Sequence, residues 1–149
     1  PHSMQLFVLN ADPTVGADVH FLNTGVPHAV AFLDKLEDLD ISRLGAYLRY
    51  HEAFSPKGTN ANFARILSPG HIAIRTYERG VEDETLACGT GMTACALLHA
   101  VLADAPSPIQ VDVAGGDTLK VGFQRTGDRF TDVTLTGPAD LVFTGDIQI

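Results

Sequence analysis

The stretch Met92-Thr93-Ala94-Cys95-Ala96-Leu97-Leu98-His99-Ala100-Val101-Leu102-Ala103 decides the fold. It has helix-forming composition and is apolar nearly all round, with His99 as the exception. A surface helix carries its apolar residues on one stripe, whereas a helix apolar around its circumference is buried on every side. Outward from it the chain reads as short strands rich in β-branched and aromatic residues, bounded by turn residues. They are Gln5–Leu9, Val19–Leu22, Ala29–Leu33, Phe63–Leu67, Ile72–Tyr77, Ile109–Val113, Leu119–Phe123, Asp132–Leu135 and Leu141–Ile147. Ser68-Pro69-Gly70, Gly115-Gly116-Asp117 and Thr126-Gly127-Asp128 are turn signals between them. Asp40 to Tyr50 reads as an amphipathic surface helix with Ile41, Leu44 and Leu48 on one stripe and Asp40 as N-cap. The expectation is an α+β domain in which a curved, barrel-like, mixed or antiparallel sheet wraps a central apolar helix.

Immediately before that helix stands Cys88-Gly89-Thr90-Gly91. Unpaired backbone N–H groups and the positive helix end converge there. Both influences favour the thiolate form of a cysteine, and the same N–H groups offer a cradle for a carboxylate. An acid/base thiol next to an anion clamp suits proton transfer at a carbon bearing a carboxylate. A free cysteine also packs as a small inert hydrophobe; Cys95, one heptad further along, reads as such a core residue. A phosphate would fit the same helix end, but the Gly-Lys-Ser/Thr of a P-loop is missing.

Composition bounds the remaining choices. The chain has 149 residues, 45% hydrophobic content and a formal charge of −8, which fits one folded domain. Without a basic stripe interleaved with aromatics, nucleic acid is not an expected partner. Neither a signal peptide nor a membrane span is visible. Cys88 and Cys95 lie about 10 Å apart on a helix, too far for a disulfide. Free thiols point to a reducing, cytoplasmic compartment. No cysteine–histidine spacing fits zinc, so no metal is expected. Pro1-His2-Ser3 before Met4 reads as a tag remnant.

Several ordered motifs carry a resemblance. Glu78-Arg79-Gly80, then Glu84-Thr85-Leu86-Ala87-Cys88-Gly89-Thr90-Gly91, is similar to the second half of diaminopimelate epimerases. Asn23-Thr24-Gly25-Val26-Pro27-His28 resembles that family's Gly-Asn-Pro-His segment, and Gly58-Thr59-Asn60-Ala61-Asn62-Phe63 its Gly-Thr-Asn-x-Asn-Phe segment. The ending, Thr136-Gly137-Pro138-Ala139 with Val142-Phe143 and Gly145-Asp146-Ile147, also fits. The resemblance implies a cofactor-independent epimerase that interconverts LL- and meso-diaminopimelate in lysine synthesis. Two thiols would act on opposite faces of the substrate carbon, one from each half of the molecule.

Cys88 would be one of those thiols. His28 and Glu78 would be the family's other catalytic groups, Gly89 and Thr90 the carboxylate cradle, and Glu78, Arg79 and Asn60 the contacts to the substrate's distal amino-acid end. Read without the family, Arg79 is a surface arginine at a strand end, Asn60 a turn residue beside Gly58, and His28 a structural hydrogen bonder. Residues 4–149 would then be the C-terminal catalytic half, with the N-terminal half of the same protein as missing partner and a homodimer as a further assembly. No cofactor is implied: Lys35, Lys57 and Lys120 sit in no pattern suggesting a pyridoxal Schiff base.

Two departures stand out. Val26 replaces the asparagine that usually precedes Pro-His. The run Gly80-Val81-Glu82-Asp83-Glu84-Thr85 is one residue longer than the family's Gly-Val-Gly-Glu-Thr and lacks its second glycine, which predicts a different path into Cys88. A proline-racemase-like enzyme, a cysteine hydrolase using Cys88 and His28, and a catalytically inert isolated domain are the competing readings.

Overall fold

A computed structural model of the chain describes residues 4–6 and 17–148. The first three residues, read as a tag remnant, lie outside them, as does the second half of the expected strand Gln5–Leu9. Among the described residues nine strands form one sheet: β1 (Met4–Leu6), β2 (Val19–Asn23), β3 (Pro27–Phe32), β4 (Asn60–Ser68), β5 (His71–Glu78), β6 (Asp83–Thr85), β7 (Ile109–Asp112), β8 (Thr118–Thr126) and β9 (Arg129–Thr136). The order is β1-β2-β3-β4-β5-β7-β8-β9, with β6 paired to β5. The β3–β4 and β5–β7 ladders are parallel and the others antiparallel. Parallel neighbours need a long crossover. Helix α1 (Ile41–Arg49) supplies the first and helix α2 (Gly89–Leu102) the second.

The sheet is mixed and curls into a half-barrel around α2, as the apolar circumference predicts. Met92, Ala94 to Ala100 and the strand residues Val30, Ala64, Ile72, Ile74, Ile109, Val111 and Val121 are buried there. The enclosure is incomplete on one side. Leu22, Thr24, Thr93, Leu97, Phe130, Val133 and Leu135 line a groove of about 690 Å³ where β9 and β2 do not meet. On the opposite face of the sheet, Ile41, Leu44 and Leu48 of α1 pack against Ala29, Ala31, Ala61, Phe63 and Tyr77. Asp40 caps α1 by accepting the Arg43 N–H at 3.0 Å. The Ser68-Pro69-Gly70 turn joins β4 to β5 with Gly70 at φ +79°.

One expectation needs correction, and one strand was not expected. Leu141–Ile147 is not a strand. Leu141, Val142, Phe143 and Ile147 are 82–87% exposed. A ladder requires a neighbouring strand, and none lies against this segment among the described residues. Conversely, β6 escapes a propensity reading because Asp83-Glu84-Thr85 is polar. Side-chain bonds hold it instead: Arg75 grips Glu84 through two nitrogens at 2.7 Å, and Ser42 of α1 donates to Asp83 at 3.1 Å.

Candidate functional site

Side chains alternate across a strand, and this alternation builds the site. Val30, Ala64 and Ile74 face α2. His28, Asn62 and Thr76 share their phase, two residues away on β3, β4 and β5. Register places Val30 opposite Asn62 and Asn62 opposite Thr76. A row of polar groups therefore lies under the N-terminal end of α2, within an otherwise apolar face. His28 and Asn62 are fully buried and Thr76 is nearly so.

Cys88 is the N-cap of α2, and no side chain caps that end. Its carbonyl accepts the Met92 N–H at 2.8 Å, which leaves the first-turn N–H groups directed outward beside the sulfur. The Cys88 Sγ lies 3.6 Å from the Thr90 hydroxyl. That hydroxyl is 2.9 Å from His28 Nε2, and Asn62 Nδ2 is 3.1 Å from His28 Nδ1. Thr24 donates to the Thr90 carbonyl at 3.0 Å, tying the β2–β3 turn to the helix start. Gly91 is needed for space: a Cβ there would stand 2.5 Å from Asn62 Oδ1 and 3.4 Å from the sulfur.

Burial, helped by the charge of Arg79, lowers the His28 pKa to about 4, so the imidazole is neutral near pH 7. Cys95 is fully buried, and burial drives its pKa far up. It is a protonated core thiol, as its apolar surroundings predict. Cys88 retains 9% exposure; the α2 terminus and its neighbours already cover most of it.

Asn60 and Arg79 are brought together. The Asn60 side-chain oxygen accepts the Arg79 backbone N–H at 2.8 Å, and its nitrogen donates to the Pro27 carbonyl at 3.0 Å. The guanidinium donates to the Lys57 carbonyl at 3.0 Å. Glu78 ends β5 next to Arg79, half-buried, and its carboxylate joins none of these bonds. Arg79, Lys57, Gly58, Val26 and Pro27 border a groove of about 440 Å³. Val26 thus puts an apolar wall on the groove where a family asparagine would put an amide.

The loop between Arg79 and Cys88 turns at Glu82. Glu82 adopts φ +60°, a conformation uncommon outside glycine. Its carboxylate compensates by binding Arg49 at 3.0 Å and the Gly80 N–H at 3.1 Å. Helix α1 thereby braces the segment that leads to the thiol. Asn62, Thr76 and Thr24 are the site residues that sequence reasoning left unassigned. For Asn62 the signal was available: two residues beyond Asn60 on a strand, it had to share its face.

The curled mixed sheet around a buried helix recurs in a solved structure. A probable proline racemase from Agrobacterium radiobacter K84, with bound carbonate, matches with a TM-score of 0.64 over 92% of this chain and 48% of that one, at 19% identity. The family model described as diaminopimelate epimerase matches residues 20–142. The diaminopimelate epimerase of Chlorobaculum tepidum is 45% identical over 87% of this chain and 50% of its own length. That of Flavobacterium psychrophilum is 47% identical over 83% and 48%, and that of Aquifex aeolicus 44% identical over 86% and 45%. The chain belongs to the diaminopimelate epimerase family. It spans about half the length of the curated relatives it matches.

Proposed function

We propose that this chain is one half of a diaminopimelate epimerase and supplies one of two acid/base thiols. The observation that carries the reading is Cys88 at the uncapped start of a buried helix, with open backbone N–H groups beside it. Arg79 borders a groove that Pro27, next to His28, also lines. In the forward direction one thiolate takes the α-proton of LL-diaminopimelate. The electron pair left on carbon is delocalised into the carboxylate, which the N–H groups of Gly89 and Thr90 stabilise. A thiol on the opposite face returns a proton and completes the inversion. The family assignment and the half-length match support assigning that second thiol to a further domain.

The distal end of the substrate pairs with the Arg79 guanidinium, a bidentate carboxylate partner. Glu78 stands beside it for the distal ammonium. Asn60 holds the Arg79 backbone in place and retains one amide hydrogen for the ligand. His28, buried and neutral, serves the site as a hydrogen-bonding group. Leu141, Val142, Phe143 and Ile147 form an exposed apolar run that the other domain would cover.

Reconstitution tests this reading. This chain alone should not invert LL-diaminopimelate, and adding the complementary half of a family member should restore turnover. Robust inversion by the chain alone would overturn the two-thiol assignment.

A further inference from the structure

We propose that Asn62, backed by Thr76, is a positioning residue that fixes the tautomer of His28 and thereby aims the Thr90 hydroxyl at Cys88 as a hydrogen-bond donor. The significance for catalysis rests on the reading of Cys88 as an acid/base thiol. The geometry stands without it.

The groups in this row have fixed donor and acceptor roles. The Ala29 carbonyl only accepts, and the Asn62 atom 3.0 Å from it must be the amide nitrogen. The Asn62 oxygen, at the other side, receives the Thr76 hydroxyl at 3.0 Å. The two contacts orient the amide, the assignment that otherwise depends on the hydrogen-bond network alone. The same Asn62 nitrogen faces His28 Nδ1 at 3.1 Å. It can only donate there, so Nδ1 carries no proton. A neutral imidazole then has its hydrogen on Nε2, which donates to the Thr90 oxygen at 2.9 Å. With that oxygen receiving a proton from His28, the Thr90 hydrogen is free to point at Cys88 Sγ, 3.6 Å away. Each link is buried or partly buried, and the chain has one direction: Thr76 to Asn62, Asn62 to His28, His28 to Thr90, Thr90 to sulfur.

A donor aimed at sulfur stabilises the thiolate over the thiol. A hydrogen bond to a charged group contributes more than a neutral one. The arrangement also excludes His28 from taking a proton at Nδ1 while Asn62 is in place. Among the described residues the charge that acts on this imidazole is Arg79, which opposes its protonation as well. His28 therefore acts here as a locked donor. The space over Asn62 is kept free by Gly91, because a Cβ added there would collide with the Asn62 oxygen.

Asn62→Asp reverses the relay without changing its size. A carboxylate facing Nδ1 requires a proton there, Nε2 becomes the acceptor, and the Thr90 hydrogen turns from sulfur to His28. The experiment is carried out on the whole chain, with nitrogen NMR of the His28 ring and the pH dependence of Cys88 alkylation by iodoacetamide. The wild type should show the Nε2–H form, and Asn62→Asp the Nδ1–H form. The alkylation midpoint should rise by about one pH unit, the size expected for loss of a charge-assisted bond. Thr90→Val should give a similar rise and leave the His28 tautomer unchanged. In the double variant the two rises should not add. A wild-type His28 protonated at Nδ1, or fully additive shifts, would overturn the proposal. If Asn62→Asp does not fold, the wild-type tautomer and the Thr90→Val midpoint still decide it. Failure of epimerisation with the relay intact would count against the function proposed for Cys88, and leave the relay standing.

Discussion

The side-chain oxygen of Asn60 accepts the backbone N–H of Arg79 at 2.8 Å while its nitrogen donates to the Pro27 carbonyl. One buried amide thus joins the start of β3 to the end of β5. Asn60→Asp replaces the donor with an oxygen that faces a carbonyl in a site only 4% exposed. The variant should lose about 2 kcal/mol of stability, the usual cost of an unsatisfied buried polar group. Urea unfolding measures it, and an unchanged midpoint would show that the amide is not a structural tie.

Acid should destabilise the chain in a defined window. His28 has a folded pKa of about 4, below the ordinary 6.5, because it is buried and faces Arg79. Between those values the unfolded state binds the proton and the folded state does not, so stability falls as pH drops from 6.5 towards 4. The loss from this group is about 3 kcal/mol over the window. Burial lowers the pKa of His20 and His99 as well, which adds in the same direction. His28→Gln should flatten the slope of stability against pH. A slope equal to the wild type would assign the acid sensitivity elsewhere.

The two thiols should separate in reactivity. Cys95 is fully buried and held protonated, whereas Cys88 caps an open helix end. Near neutral pH, iodoacetamide should label Cys88 at least about a hundredfold faster, since the thiolate is the nucleophile. Peptide mapping that found Cys95 labelled first would contradict the assignment of roles.

The buried helix should carry much of the stability. Leu98 is fully buried in the α2 core, and Leu98→Ala should cost about 2–5 kcal/mol through lost burial and the cavity left behind. Thermal unfolding checks this. A change below about 1 kcal/mol would place the core elsewhere.

The central helix was legible because nothing polar interrupts residues 94–98, and most strands were legible from alternation and turn residues. Elsewhere tertiary contacts override local preference. The polar strand β6 exists through the Arg75–Glu84 pair and is invisible to propensity. Leu141–Ile147 has the composition of a strand but no neighbour to pair with. Motifs single out Cys88, Asn60 and Arg79 as candidates, yet motifs do not show who bonds whom. Strand alternation puts Asn62 on the face of Asn60, whereas Thr76 joins it only through cross-strand register, which pairs residues 14 apart.

The most direct test is solvent deuterium incorporation at the α-carbon of LL-diaminopimelate, measured by mass spectrometry. A protein carrying this chain and its complementary half should incorporate deuterium as it forms the meso isomer. Cys88→Ala in that protein should slow incorporation by at least about a hundredfold, the typical contribution of a positioned acid/base group. Incorporation by the Cys88→Ala variant at the wild-type rate would contradict the account.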